Sequence, residues 1–464
     1  MTNQPKKYIR GSKSAAANSE TPPAYFLSLE VENVLCFKEK QELKLCDSNG
    51  NPAQWTVILG NNGVGKTTLL RCLNRMELIL DKSVNVAFPF RLSANQDADT
   101  LQELESLKSN GAIIYTKIVN GNTLSEIKSN HREKSIEHSY KSTVGYALEG
   151  QRKDLCGLIC YGYGATRRMG KTSLSDSLSH DNSVSLFSDN ATLINAEEWL
   201  LQTDYAIKSM RSEQDIRTSA ESHARRKKQY NQIIGVLKSI LPDVEDVRIE
   251  LDEDTERPIA KFLTPYGWVQ LSSLGLGYRT TIAWMVDLAV RLFKRYPDSE
   301  DPLAEPAIVL VDEIDLHMHP QWQRTIMEFL TERFPNTQFI VTAHSPLVVQ
   351  AAQDANIVLL RREGDRVVID NNLEIIENWR VDQVLTSVFE MPSARPAKIE
   401  PLLDRRQEIL TKSKLTKADK EELKELEEKI GTLPTAETSE DIKAMDIIRR
   451  AAKLLEKPMT EAVE

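Results

Sequence analysis

The sequence predicts an α/β fold of mixed sheets flanked by helices, followed by a helical C-terminal extension. Three observations predict it. Gly60-Asn61-Asn62-Gly63-Val64-Gly65-Lys66-Thr67 matches the pattern G-x-x-x-x-G-K-S/T in full, between an apolar run and a helical stripe. Ala307-Ile308-Val309-Leu310-Val311 is a second strand-like run that ends in Asp312-Glu313, and a third, Gln338 to Ala343, ends in His344. In the tail, Thr416 to Asp419 and Thr438 to Asp441 both fit the T-x-x-D capping pattern, each ahead of a narrow apolar stripe.

The 464 residues suffice for two to four domains or subdomains of about 100–200 residues each. A net charge of −9 argues against a surface that coats nucleic acid broadly, while a local basic groove stays open. No apolar run reaches the ~18 residues of a membrane span, so no membrane partner is expected. Met1 to Thr21 has no apolar core and so is no secretory signal; residues 1–24 are expected to be a disordered lead-in. The 5 cysteines are scattered, without a C-x-x-C pair, as suits reduced thiols in a cytoplasmic protein.

In chain order, Tyr25 to Val31 alternates as a strand, Gln41 to Leu45 is a second, and Trp55 to Leu59 leads into the Gly-rich loop. The glycines let backbone N–H groups close around an anion without Cβ clashes. A helix follows, with Leu69, Leu70, Leu73, Met76 and Leu80 as its stripe. Lys66 is expected on the β- and γ-phosphates and the Thr67 hydroxyl on Mg2+, so the cofactors are ATP and Mg2+. The ATP-binding set is Gly60, Asn61, Asn62, Gly63, Val64, Gly65, Lys66, Thr67 and Thr68. Pro89 to Thr100 reads as loop. Gly111 to Gly121 reads as a strand ending in a hairpin signal, and β-like runs continue to Leu148, which predicts an antiparallel layer. A strand then runs into Tyr161-Gly162-Tyr163-Gly164-Ala165-Thr166-Arg167-Arg168. Two readings stay open there: a phosphate or partner contact through Arg167, and a tight turn with solvated arginines. Ser173 to Asn190 is polar and expected to be mobile. Ala196 to Met210 and Ser222 to Leu241 read as helices, and Arg225-Arg226-Lys227-Lys228 on the second is either a solvated face or a nucleic-acid contact.

Carboxylates at the C-terminal end of a central strand lie beside the phosphate loop of an open α/β sheet. Asp312 is therefore expected to hold Mg2+, mostly through water, and Glu313 to orient or deprotonate the attacking water. Pro320 opens a helix with Trp322, Ile326, Phe329 and Leu330 on one face. His344, at the next strand end, is expected to hydrogen-bond the γ-phosphate. His317 and His319 lack a third ligand and read as structural. In the tail, Leu423, Leu426 and Ile430, then Met445, Ile448, Ala452 and Leu455, form two stripes separated by Gly431 and Pro434, which predicts a helical hairpin.

Together these residues resemble the ABC-type ATPase heads of the RecF, SMC and Rad50 proteins. The resemblance implies that Asp312-Glu313 is the Walker B end, Ile314 to Pro320 the D-loop and His344 the switch histidine. The signature motif falls within Leu271 to Thr280, and aligns two ways. Leu271-Ser272-Ser273 matches the first letters of L-S-x-G but puts Leu274 where Gly belongs; Leu274-Gly275-Leu276-Gly277-Tyr278-Arg279 keeps Gly277, Arg279 and the helix start in register, with Gly275 in place of Ser. We prefer the second, and keep Ser273, Gly275, Gly277 and Arg279 as the signature loop. In ABC dimers that loop faces the other subunit's phosphate, which implies a homodimer or higher homo-oligomer. The missing Ser side chain implies slow turnover.

Asn195 to Leu201, the Tyr-Gly-Tyr-Gly-Ala-Thr-Arg stretch, Leu274 to Thr280, Glu313 to Pro320 and Trp379 to Phe389 further resemble the ATPases of Septu anti-phage systems, the PtuA family. That resemblance implies a separate HNH nuclease partner (PtuB-like). The expected layout is an ATPase head over residues 25–390, with a β-rich and helical insert at about 95–260, and a partner-docking region over residues 391–464. The alternative is a RecF-like DNA-repair ATPase that binds DNA itself. A nuclease on the same chain is disfavoured because no Asp-x-Asp follows Glu363-Gly364-Asp365, and a transporter subunit is disfavoured by the long insert and the helical tail.

Overall fold

Short apolar runs buried on both faces pack as a parallel sheet, and the computed structural model of the chain builds its centre this way. It describes residues 23–47, 49–76, 78–81, 86–89, 113–120, 123–132, 135–142, 158–170, 182–209, 218–241, 243–252, 256–352, 354–371, 380–389, 391, 398–412 and 416–430. The chain runs β1 (Ala24–Glu32), β2 (Gln41–Lys44), β3 (Trp55–Gly60), α1 (Lys66–Arg75), β4 (Leu78–Asp81), β5 (Val86–Pro89), β6 (Ile113–Asn120), β7 (Thr123–Arg132), β8 (Ser135–Ser142), β9 (Cys160–Tyr163), β10 (Arg168–Met169), α2 (Val184–Phe187) and β11 (Thr192–Leu193). It continues with α3 (Ala196–Ser209), α4 (Thr218–Ile240), β12 (Asp246–Leu251), β13 (Pro258–Thr264), β14 (Gly267–Gln270), α5 (Leu276–Arg295), β15 (Ala307–Val311), α6 (Pro320–Arg333), β16 (Thr337–Thr342), α7 (Pro346–Ala351), β17 (Asn356–Glu363), β18 (Arg366–Asp370), α8 (Val381–Ser387), α9 (Glu400–Leu410) and α10 (Lys417–Ile430).

The central sheet has the order β18-β17-β3-β16-β15-β9. All neighbours are parallel except β18, which returns from β17 through a turn at Gly364-Asp365. Every residue of β3, β15 and β16 is buried. Parallel strands deliver their C-terminal ends to one edge, so Gly60, Tyr163, Val311 and Thr342 finish on the same side. Alternation then splits the strands by face. Ile58, Ile308, Leu310 and Ile340 share one core with Leu69, Leu70 and Leu73 of α1 and Phe26 and Leu29 of β1. On another part of the sheet, Trp55 stacks on Phe339 with ring centroids 4.4 Å apart.

The expected antiparallel layer is a five-stranded sheet, β2-β1-β6-β7-β8. Gln338 fastens it to the central sheet. From β16 its side chain accepts from the Phe26 N–H at 2.9 Å and donates to the Phe26 carbonyl at 2.8 Å. This is where the β1–β6 register shifts, between Phe26 and Ser28. A buried amide satisfies the two backbone groups that such a break exposes. A separate three-stranded sheet, β12-β13-β14, leads through a single 3-10 turn, Leu271–Ser273, into α5.

Several expectations change. α1 ends at Arg75, where the Met76 N–H turns back to Leu73, so Leu80 lies in β4 rather than on the helix stripe. Asn182 to Asn190 is not a loose polar loop: α2 forms there, and Ser183 and Leu186 are buried. On α6 the buried face is Trp322, Ile326, Met327 and Leu330, and Phe329 sits at its margin. The expected loop at 90–100, the lead-in at 1–22, and 173–181 lie outside the described residues. No described helix is long and apolar enough to cross a membrane.

The chain divides into two compact units, Met1–Val384 and Leu385–Glu464. In the second unit, α10 begins with a reciprocal capping box: the Thr416 hydroxyl accepts from the Asp419 N–H at 3.2 Å, and the Asp419 carboxylate accepts from the Thr416 N–H at 2.8 Å. Leu426 is buried on the predicted stripe. Its partner among the described residues is α9, held by Arg405, which donates to Glu422 on α10 at 2.7 Å. α9 is not among the expected helices, and the second expected stripe, Met445 to Leu455, lies outside the described residues.

Candidate phosphate-loop site

The loop after β3 is built on left-handed backbone. Gly60, Gly63 and Gly65 have φ of 143°, 77° and 91°. A Cβ on Gly60 would stand 2.7 Å from the Leu360 carbonyl oxygen, and one on Gly65 would stand 2.6 Å from Cys36 Sγ. Both positions therefore need glycine for space as well as for φ. Gly65 caps α1 without a side-chain hydrogen bond, and no acid lies in the helix's first turn. The positive end of the helix dipole is left to meet an anion. Lys66 is buried, and its Nζ bends back to donate to the Gly60 carbonyl at 2.8 Å and the Asn61 carbonyl at 2.9 Å. Burial pushes its ammonium below the usual lysine range, against the opposing pull of Asp312, Glu313 and Asp315. A desolvated cation whose hydrogen bonds among the described residues go to loop carbonyls at an open helix N-terminus fits a phosphate ligand.

The acid pair follows β15. One oxygen of buried Asp312 accepts from the Thr67 hydroxyl at 2.7 Å, and the other accepts from the Thr342 hydroxyl at 2.6 Å. Thr342 Oγ1 in turn accepts from the Glu313 N–H at 2.7 Å. Thr67 and Asp312 so offer a hydroxyl and a carboxylate oxygen side by side, a hard-oxygen pair that fits Mg2+. Glu313 has a left-handed φ of 48°. Its carboxylate, half-exposed, lies 4.0 Å from His344 Nε2 at the end of β16. The His344 N–H donates to Asp315 at 3.1 Å. Ser345 caps α7 and donates to Gln323 at 2.6 Å, and the Gln323 amide donates to the Asp315 and Met318 carbonyls at 3.3 and 3.1 Å. These bonds pin Ile314 to Pro320 between α6 and α7. His319 serves as N-cap of α6, its Nδ1 accepting from the Gln321 N–H at 3.4 Å. Among the described residues no group of three His, Cys, Asp or Glu side chains is placed to hold a metal.

Arg167 does not occupy the exposed place expected for a phosphate or partner contact. It is 2% exposed and donates to the carbonyl oxygens of Asp312 and Glu313, each at 2.8 Å. The reason is topological: β9 lies beside β15, with the Asp312 N–H bonded to the Tyr163 carbonyl at 2.8 Å, so the chain leaving β9 turns beneath the acid pair. The loop expected to be the signature is separate again. Gly275 caps α5, and Ser273, Gly275 and Arg279 are exposed. Among the described residues, the hydrogen bonds that join Thr67, Asp312, Thr342 and Glu313 do not extend to them. Gly277 does touch the site's rim: a Cβ there would stand 2.2 Å from the His317 carbonyl oxygen. Thr342 is not among the expected site residues; a hydroxyl closing the run Phe339-Ile340-Val341-Thr342, two residues before His344, is the available signal.

A family described as "AAA domain, putative AbiEii toxin, Type IV TA system" matches residues 55–350, from the first residue of β3 into α7. The chain belongs to this AAA-domain family. A second AAA-domain family matches residues 28–76. The AAA-domain chain is similar to Septu protein PtuA of Bacillus mycoides (strain KBAB4), 26% identical over 408 residues, which is 87% of this chain and 50% of that protein. It is also similar to the retron Ec83 probable ATPase of Escherichia coli, 41% identical over 131 residues, 28% of this chain and 23% of that protein. The matched span thus covers half or less of these relatives' own length. Among solved structures, the SMC head domain from Thermotoga maritima aligns with a TM-score of 0.40 at 13% identity, covering 76% of this chain and 100% of that one.

Gly275 and Gly277 separate by their surroundings. Among the described residues, Tyr278 at 3.9 Å is what a Cβ on Gly275 would meet first, and its φ of −58° suits any residue. Gly275→Ser should leave stability within about 0.5 kcal/mol of the parent, because Ser and Gly are both good N-caps. Gly277→Ala must push α5 off the His317 carbonyl and should cost about 1–3 kcal/mol, as overpacking does. Urea denaturation of the two variants checks the pair; equal midpoints would contradict the close approach.

Proposed function

We propose that this chain binds ATP with Mg2+, hydrolyses it slowly in a two-fold dimer, and through its nucleotide state controls a separate HNH nuclease in anti-phage defence. The observation that carries the nucleotide reading is the Asp312 carboxylate, shared between Thr67 of the phosphate-loop helix and Thr342 beside His344. Lys66 would exchange the Gly60 and Asn61 carbonyls for phosphate oxygens, and Thr67 and Asp312 would hold the metal. Mg2+ when bound supplies neutralisation of the β- and γ-phosphate charge. Glu313 would accept the proton of the water that attacks the γ-phosphorus as the bond to the ADP oxygen breaks, and His344 would donate to the γ-phosphate. Dimerisation is supported by the exposure of Ser273, Gly275 and Arg279, which leaves that loop open to a second subunit. Slow turnover is supported by Gly275, which offers no side-chain oxygen.

The defence role is supported by the likeness to Septu protein PtuA along most of the chain and to the retron ATPase over a shorter stretch. The nuclease would dock on residues 391–464, where α9 and α10 expose many charged side chains. A second reading, direct nucleic-acid binding as in a RecF-like repair ATPase, rests on Arg225, Arg226, Lys227 and Lys228, all exposed on α4. Salt-sensitive DNA binding by the chain without any nuclease would favour it.

Lys66→Ala should abolish MgATP binding in titration calorimetry. Glu313→Gln should keep that affinity and lower single-turnover hydrolysis on the order of 100-fold or more, the scale of general-base loss. Unchanged affinity in the first variant, or the parental rate in the second, contradicts the assignment. A chain stopped at Ser393 should keep MgATP binding and lose co-purification with a co-expressed HNH nuclease that the full chain retains; full-stoichiometry recovery of that nuclease would refute the docking region.

A further inference from the structure

We infer that Arg167 is a positioning residue that clamps the two backbone carbonyls of the acid pair and so holds Glu313 in the turned conformation that presents its carboxylate. The inference rests on the ATP hydrolysis proposed above. Successive carbonyls of an extended strand point in opposite directions. One guanidinium nevertheless reaches the carbonyls of both Asp312 and Glu313, at 2.8 Å each. It can do so because the chain leaves the extended conformation at Glu313, whose φ is 48°. A non-glycine residue there is strained and persists only where its surroundings over-determine it. The two-pronged contact exists only in the turned form, so it stabilises that form specifically.

Arg167 is itself an expensive residue to keep in this place. It has a left-handed φ of 37°, and its Nε is buried without a partner among the described residues. Burial lowers its guanidinium to about 10, against the pull of Asp312, Asp315 and Glu313, so it stays charged at neutral pH. A buried cation that spends its donors on backbone carbonyls, with three acids nearby, is poorly explained by fold stability alone. Its own seat is firm. The Tyr163 carbonyl accepts from the Asp312 N–H, and the Tyr163 hydroxyl donates at 3.0 Å to Asp287, a fully buried carboxylate on α5 that also accepts from Arg291 at 2.6 Å. The flat fork matters: an ammonium cannot reproduce two parallel donors.

The test uses full-length Arg167→Met and Arg167→Lys, alone and in the Glu313→Gln background, with MgATP affinity, KM, kcat and thermal midpoint measured for each. Arg167→Met should lower kcat on the order of 10- to 100-fold, the cost of slight misplacement of a reacting group, with affinity and KM within about two-fold of the parent. Arg167→Lys should recover part of kcat. The loss should vanish in the Glu313→Gln background, because the clamp acts through Glu313. A kcat loss that adds in full to that of Glu313→Gln, or that comes with a matching loss of MgATP affinity, would overturn the inference. If Arg167→Met does not fold, Arg167→Lys in the two backgrounds decides by the same criterion. The control separates the two proposals: hydrolysis abolished by Glu313→Gln but unchanged in the Arg167 variants removes the clamp and leaves the hydrolysis reading standing.

Discussion

One carboxylate joins the parts of the site. Asp312 accepts a hydroxyl from α1 through Thr67 and a hydroxyl from β16 through Thr342, and it stands at the end of β15. Three segments far apart in sequence therefore meet on two oxygens. The arrangement depends on the parallel sheet, which brings the C-terminal ends of β3, β15 and β16 to one edge. With its oxygens so bound, Asp312 can be buried without an unsatisfied charge-bearing atom, which would otherwise carry a large desolvation penalty.

Around this carboxylate the backbone is repeatedly left-handed: Gly60, Gly63 and Gly65 on one side, Arg167, Glu313 and His317 on the other. The glycines adopt such angles at little cost, and the loop that needs N–H groups aimed inward is made of them. The other three residues cannot, and each lies where the chain turns sharply to clear the strand ends. Strain of this kind gathers where geometry matters more than stability. The Gln323, Ser345 and Asp315 bonds beneath Ile314 to Pro320 serve to hold it.

The parts of this architecture that sequence could show are those with a local cause. The buried runs of β3, β15 and β16 stand out because strands covered on both faces are apolar along most of their length and carry no charged residue. The phosphate loop stands out because left-handed backbone demands glycine at fixed positions. The capping box of α10 is a four-residue signal. What stayed hidden has a long-range cause. Arg167 turns inward only because β9 pairs with β15, a contact between residues distant in sequence. Thr342 is an ordinary strand end until Asp312 arrives. α9 offers little periodic signal, and the end of α1 at Arg75 was masked by the apolar residues of β4.

The central claim is that this cluster is one assembled nucleotide site in which side chains exchange partners on binding. The most direct measurement is a crystal structure of the Glu313→Gln variant with MgATP. The account predicts that Lys66 leaves the Gly60 and Asn61 carbonyls for phosphate oxygens and that Thr67 leaves Asp312 for the metal, while the bond from Thr342 to Asp312 persists. A nucleotide bound away from Gly60 to Thr67, or Lys66 still folded on the loop carbonyls beside a bound nucleotide, would contradict it.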